Sequence, residues 1–371
     1  MKDATLIPVE DALAQLGRFD AILDARSPSE FAQDSVPGAI STPVLDDAQR
    51  ALVGTMYKES GAFEAKRTGA ALVARNIAGI LDGQLANAQR DWRLLVYCWR
   101  GGNRSGALAT VLARVGWRTA VIEGGYRAFR RLVLAELETL PRRFEFVVVA
   151  GRTGSGKSLL LERLEVLGAQ VLDLERLALH RGSVLGHLPD SPQPSQKRFE
   201  TLVWRRLRQF DPQRPVIVES ESRKVGQCQV PAELILRMRA SPCIRVETSD
   251  EVRCALLLAE YRHFVADPER LALRLEALVD HHGRQNVDRW LGHARAGAWR
   301  DFVLAMLHEH YDPAYDRSMK RNFARLDESR SVTLAGPGPE ALDAAAYDLL
   351  ALVEPSLSGS RISAGRLRAG S

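Results

Sequence analysis

Two short stretches of this 371-residue chain carry residue types that could do chemistry on an anion. The first is Cys98-Trp99-Arg100-Gly101-Gly102-Asn103-Arg104-Ser105, which follows the apolar run Leu94 to Tyr97 and precedes a helical stretch, Gly106 to Val115. A thiol at a strand end, followed by a glycine-rich turn, sits among backbone N–H groups at the positive end of a helix. Both lower the thiol's pKa and favour the thiolate, which is the nucleophile. Gly101 and Gly102 make the turn, Ser105 closes it, and Arg100 and Arg104 can add charge-assisted bonds to an oxyanion above the sulfur. The second stretch is Gly151-Arg152-Thr153-Gly154-Ser155-Gly156-Lys157-Ser158. Here Gly151, Gly154, Ser155 and Gly156 would turn backbone N–H groups onto a diphosphate while Lys157 supplies a point charge.

The second stretch matches the P-loop pattern G-x4-G-K-S and has the required strand before it and helix after it. The Ser158 hydroxyl suits Mg2+. Glu219 ends a later apolar strand, where an acid near such a metal is expected, and Glu221 is its partner candidate; a solvated turn is the plainer reading of that pair. The motif does not choose between a nucleotide and another diphosphate.

The elements that must position these loops follow from apolar patterning. Ala21 to Leu23, a short strand after Val36, Leu94 to Tyr97 and Thr119 to Ile122 read as strands. They alternate with helices at Ser29 to Gln33, Lys66 to Leu81 and Arg127 to Leu140. This is the signature of a parallel α/β sheet, whose ligands sit beyond the carboxyl ends of the strands. Asp24, Arg26 and Cys98 all fall at such ends. Pro141-Arg142-Arg143 marks a boundary. A second α/β unit follows, with strands at Phe144 to Ala150, Val171 to Asp173, Val216 to Glu219 and Ile244 to Glu247. His180 to Ser195 reads as a long loop or lid. The domains expected are therefore 1–140, 141–249, a helical region over 250–350 with a last strand near Val332, and a disordered tail over 355–371.

Composition narrows the class. The chain is 46% hydrophobic with a net charge of +5. No apolar run approaches the ~20 residues of a membrane span, and the start lacks the pattern of a secretory signal. A cytoplasmic protein with no membrane partner is expected. Cys228, Cys243 and Cys254 show no metal-ligand spacing and read as packing residues. Arginine-rich runs, Trp204 to Arg208 and Met319 to Arg325, could track a nucleic-acid backbone, although a solvated helix face explains each run taken alone.

The spacing C-x-x-G-x-x-R-S also describes a cysteine phosphatase loop, for which Asp24 could serve as general acid. The surroundings resemble the rhodanese family instead, in Ile22-Leu-Asp-Ala-Arg-Ser-Pro-Ser-Glu-Phe31, Ser35-Val-Pro-Gly-Ala-Ile40 and Val121-Ile-Glu-Gly-Gly-Tyr126. The loop is one residue longer than the common rhodanese loop, and a wider loop can admit a tetrahedral phosphorus oxyanion.

A rhodanese-like domain followed by a P-loop domain resembles the tRNA 2-selenouridine synthase family. The strings Val53 to Gly61, His180 to Gly186, Gln193-Pro-Ser-Gln196, Val218 to Gly226 and His310-Tyr-Asp-Pro-Ala-Tyr315 are similar to that family's and occur in its order. The resemblance implies conversion of wobble 2-thiouridine in tRNA to 2-selenouridine through an S-geranylated intermediate, with geranyl diphosphate and selenophosphate as co-substrates. It implies that Cys98 carries selenium as a selenosulfide and that Arg100, Arg104 and the loop N–H groups hold selenophosphate. Asp24 and Arg26 would shape that pocket. Gly151 to Ser158 would hold the prenyl diphosphate, with Glu219 or Glu221 near Mg2+, the loop over 180–195 closing above it and the arginine-rich helices gripping tRNA. Two other readings stand beside it: a cysteine phosphatase or sulfurtransferase fused to a P-loop nucleotide-binding domain, and a nucleotide-gated RNA-binding module.

Overall fold

The computed structural model describes residues 3–183, 185–188 and 191–368, with side chains as far as Val353. The chain divides into two compact units, Met1–Glu136 and Leu137–Ser371.

The first unit contains β1 (Thr5–Ile7), α1 (Val9–Ala14), β2 (Ala21–Asp24), α2 (Pro28–Gln33), β3 (Ala39–Ser41), α3 (Asp47–Glu59), α4 (Ala62–Asp82), β4 (Arg93–Tyr97), α5 (Asn103–Val115), β5 (Arg118–Ile122) and α6 (Gly125–Leu137). Its sheet is parallel throughout, in the order β1-β5-β4-β2-β3. β2 and β4 are buried apolar runs because a parallel sheet is covered on both faces, and Leu23, Leu94, Val96, Leu108, Leu112 and Ile80 form one core with them. The pairing sets Asp24 opposite Tyr97, which brings the ends of β2 and β4, and hence Asp24 and Cys98, to one edge of the sheet. Three elements, β1, α1 and α3, were not expected. β1 is a three-residue edge strand, too short to show a pattern. α3 buries no residue fully.

The second unit contains β6 (Phe146–Ala150), α7 (Lys157–Val166), β7 (Gln170–Leu172), α8 (Leu174–Ala178), α9 (Gln196–Gln209), β8 (Val216–Glu219), the two-residue strands β9 (Lys224–Val225) and β10 (Cys228–Gln229), α10 (Ala232–Ala240) and β11 (Cys243–Glu247). Helices α11 (Asp250–Glu260), α12 (Arg262–Ala266), α13 (Pro268–Leu275), α14 (Val279–His282), α15 (Arg284–Arg295), α16 (Trp299–Met306) and α17 (Asp312–Asn322) follow, then β12 (Arg330–Thr333) and α18 (Pro339–Arg368). The main sheet is parallel, in the order β12-β11-β6-β8-β7. Val149 stands opposite Glu219, so the loop after β6 and the acid at the end of β8 share one sheet edge.

Residues 250–350, expected as a helical region, split between two cores. Leu271, Leu275, Trp290, Phe302 and Met306 pack among the helices. Val332, Leu342, Ala346 and Leu349 join the sheet core of Val147, Val149 and Leu160. The tail, expected to be disordered over 355–371, differs in its backbone, which continues as helix to Arg368; its side chains and residues 369–371 lie outside the described residues. Among the described residues no helix is long and apolar enough to cross a membrane.

Candidate active site

The cysteine loop comes first in chain order. Cys98 leaves the end of β4 and is 4% exposed. Burial alone would push its thiol up, but the Ser105 hydroxyl and the backbone N–H groups of Ser105, Arg100 and Gly102 outweigh that and set it below its ordinary value. Ser105 Oγ lies 3.1 Å from the sulfur and 3.2 Å from the Gly102 carbonyl; its single proton serves the thiolate when one forms. The start of α6 braces the loop from behind. Tyr126 N donates to Cys98 O at 2.8 Å and Arg127 N to Trp99 O at 3.1 Å. Gly125, at φ +58°, lies so close that an added Cβ would overlap the carbonyl oxygen of Cys98.

Asp24 and Arg26 occupy another role than pocket-forming. They are 0% and 1% exposed. Arg26 Nε and Nη2 bond the two Asp24 oxygens at 2.9 and 2.6 Å, the Tyr97 hydroxyl donates to Asp24 Oδ2 at 2.6 Å, and Arg26 also reaches the Asp34 carbonyl at 2.6 Å. The guanidinium lies 3.9 Å from the Tyr126 ring centre, and Tyr126 donates to Asp34 Oδ2 at 2.9 Å. This network is buried, and both Asp24 oxygens are bonded within it. It supports the sheet edge, and Asp24 is not free to act as a general acid. Arg104 already has a carboxylate partner: its Nη1 lies 2.7 Å from Glu30 Oε2. Glu30 also accepts from Ser27 N at 3.1 Å and pairs with Arg50 at 3.2 Å. Burial would raise that carboxylate, yet Arg104 leads the contacts that hold it below its ordinary range. Arg100 is exposed and forms no ion pair among the described residues. Glu30 was legible, since Ser27-x-x-Glu30 is a capping box at the head of α2; its pairing with Arg104 was not.

The P-loop runs from β6 into α7. Gly156 at φ +82° is left-handed, which glycine adopts without strain. Lys157 Nζ donates to the carbonyls of Gly151 at 2.5 Å and Arg152 at 3.3 Å. Burial pushes its ammonium below the ordinary value, although Glu175, Glu221 and Glu219 all pull upward. Ser158 Oγ donates to Glu175 Oε2 at 2.9 Å, and Glu175 N donates to Glu219 Oε1 at 2.9 Å. Glu219 is 2% exposed, and its Oε2 is buried with no partner among the described residues. Burial first, then the neighbouring Asp173, Glu175 and Glu221, push it well above the carboxylate range. Burial and Glu175 push Glu221 up to about 8, and burial pushes Asp173 up to about 6. These groups fit a hard cation, which would take up the orphaned oxygen and offset the repulsion. Among the described residues no group of three or more acids, histidines or cysteines is arranged to hold a metal by itself, so phosphate oxygens and water would complete the shell.

Glu175 and Tyr315 went unread as site residues. Glu175 carries no motif; only the fold of α8 brings it to Ser158. The Tyr315 hydroxyl accepts from Gly151 N at 2.6 Å, and its ring centre lies 5.7 Å from Lys157 Nζ. Arg253 secures the loop from α11, with Nε 3.0 Å from the Thr153 carbonyl and both Nη atoms on Asp312.

A cavity of about 1040 Å³ opens from the P-loop. The loop after α8 lines it through Arg181, Gly182, Ser183 and Leu188, and the helices line it through Leu257, Tyr261, Tyr311 and Phe323. Glu175 and Glu221 approach Gly182 closely enough that a side chain there would meet both. Within the loop expected over 180–195, Val184, Pro189 and Asp190 lie outside the described residues. A smaller void, about 50 Å³, is walled by Leu257, Phe264, Leu271, Phe302, Val303 and Met306.

The class that fold and sites define is a two-cradle enzyme: a rhodanese-like unit with an activated thiol, followed in the same chain by a P-loop unit. The rhodanese-like domain family matches residues 8–132, and the tRNA 2-selenouridine synthase AAA domain family matches residues 144–272. The tRNA 2-selenouridine synthase of a Sulfurovum species is 30% identical over 337 residues, covering 82% of this chain and 90% of that one. The enzyme of the same name from Hahella chejuensis is 32% identical over 334 residues, covering 82% and 87%. A rhodanese-related protein from Thermoplasma volcanium shares 20% identity with a TM-score of 0.24, covering 34% of this chain and 92% of that one. The chain belongs to the tRNA 2-selenouridine synthase family.

Proposed function

We propose that this enzyme replaces the sulfur of wobble 2-thiouridine in tRNA with selenium, using geranyl diphosphate and selenophosphate. In the first step the nucleobase sulfur displaces diphosphate from the prenyl carbon. In the second, selenium displaces the alkylated sulfur, which leaves more readily than a bare thiolate. The observation that carries this reading is the large cavity, polar at its P-loop end and lined farther on by leucine and aromatic side chains; a nucleotide has no apolar tail to place there. Gly151, Gly154, Ser155, Gly156 and Lys157 would hold the diphosphate. Ser158 and Glu219 or Glu221 would hold Mg2+, whose chemistry is to neutralise the departing diphosphate.

The Cys98 thiolate would attack the phosphorus of selenophosphate, forming an S–P bond as the P–Se bond breaks and selenide departs to the alkylated base, with Arg100, Gly101, Gly102 and the loop N–H groups on the donor's oxygens. Arg104 would serve them without leaving Glu30, while Ser105 holds the thiolate. The cysteine-phosphatase alternative loses support, because its candidate acid, Asp24, is sealed and fully bonded. The exposed Arg317, Lys320 and Arg321 of α17 suit a phosphate backbone, so tRNA affinity should fall steeply with salt.

Two variants test the division of labour. Cys98→Ala should abolish selenium transfer and leave S-geranylation of thiolated tRNA intact. Lys157→Ala should weaken geranyl diphosphate binding and leave Cys98 alkylation unchanged. Loss of both activities in a folded Cys98→Ala protein refutes the division.

A further inference from the structure

The cavity of the second unit has a histidine wall that the diphosphate site does not use. His310 lines it together with His281 and Tyr311. His310 stands in a π-helical turn, Leu307–Tyr311, between α16 and α17. Such turns interrupt a regular helix and occur often where a side chain is brought to a functional site. His310 Nδ1 lies 2.9 Å from His282 Nε2, with the two rings 5.0 Å apart. No other hydrogen bond reaches the His310 ring among the described residues, so Nε2 has no protein partner in a residue that faces the cavity.

We propose that His310 is the base that takes the N3 proton of the thiouracil ring as its sulfur is alkylated, with His282 as its positioning residue. This rests on the reading of the cavity as the prenylation site. The reaction needs such a group. The sulfur lone pair forms the S–C bond, and the C–O bond to diphosphate breaks with its electrons passing to the diphosphate oxygen. The ring then holds an N3=C2 double bond only if the N3–H proton departs. His310 Nε2 accepts it, while Nδ1–H donates to His282 Nε2 and fixes the tautomer that leaves Nε2 free. No oxidant or reductant enters.

The surroundings suit a weak neutral base. Burial, then the neighbouring His282 and His281, push His310 down to about 4, so it is uncharged near neutrality. A weak base suffices because the N3 proton becomes acidic as the ring gains positive charge. The Tyr311 ring flanks it at 4.6 Å. Glu309, bonded to Arg289 and to Trp290 Nε1 at 3.1 Å, is the carboxylate near His282.

The test is single-turnover formation of the S-geranyl nucleoside, by the full chain, from a thiolated anticodon stem-loop and geranyl diphosphate. His310→Gln keeps the side chain's bulk and removes the base. We expect it to slow the reaction about 10²-fold, with KM for geranyl diphosphate changed less than about twofold. Its rate should climb with pH as the nucleobase ionises unaided, where the wild-type rate is flat. His282→Asn should cost less and keep the flat profile. A wild-type rate and flat profile in His310→Gln overturn the assignment, as does a KM that rises in step with the lost rate. A wild-type chain that makes no S-geranyl product overturns the reading beneath it, and the assignment falls with it.

Discussion

The two oxyanion cradles of this chain share a plan and differ in charge. Each follows a parallel strand, turns on glycine and enters a helix. Around Cys98 two acids have their counter-charges close by: Asp24 is matched by Arg26, and Glu30 by Arg104 and Arg50. Around Lys157 the acids outnumber their partners. Asp173 meets Arg176 at 3.7 Å, but Glu219 and Glu221 have no ion pair among the described residues, and both are held far above the usual carboxylate range. The first site pairs the Asp24 and Glu30 carboxylates and uses loop N–H groups to lower one thiol. The second stores repulsion that a bound cation would relieve, which would couple ligand binding to local stability.

Four substitutions probe that contrast, taken from the largest expected effect downward. Gly125→Ala sets a methyl group against the Cys98 carbonyl at a φ that only glycine tolerates well. Displacing the loop by even about 1 Å should cut selenium transfer at least about 10²-fold, while geranyl diphosphate affinity, measured in the same protein, stays unchanged. Asp24→Asn strands the buried Arg26 charge and should destabilise the first unit by about 3–5 kcal/mol, seen as a separate early transition in thermal unfolding.

Glu221→Gln works in the opposite direction. The folded state holds that carboxyl at about 8 against an ordinary 4.5, so the native protein binds the extra proton between those values and loses stability as pH rises through the window. The variant should therefore melt a few degrees higher than wild type at about pH 8 and about equally near pH 4.5. It should also gain less than wild type from added Mg2+. An unchanged melting profile at both pH values would mean that the repulsion is not there. Ser105→Ala is the mildest change. It removes a donor to the sulfur, so the pH midpoint for iodoacetamide alkylation of Cys98 should move up and the rate near neutrality should fall severalfold.

Both cradles were legible because each is contiguous. A strand, a glycine turn and a helix start are local events, and the spacing of Cys98 to Ser105 and of Gly151 to Ser158 encodes them directly. The buried strands were legible for a related reason, since a sheet covered on both faces demands unbroken apolar runs. α3 was not, because it buries no residue fully. The partners of Arg104 and Asp24 were not legible either, for another reason. Residue type shows that a group carries charge, and says nothing about whether a partner 74 positions away, as for Glu30 and Arg104, has already claimed it.

Sequence alone determined where the two glycine loops, the candidate cysteine and the lysine fall and the order of the two units, since these depend on neighbours along the chain. Tertiary structure alone decided which charges are paired and which are left over. It brought Glu175 to Ser158 and Tyr315 to Gly151, and it turned His310 toward the cavity through a single π-turn. The reason is physical: burial and Coulomb interaction act through space, and their outcome at any residue depends on strands and helices that the local sequence does not contain.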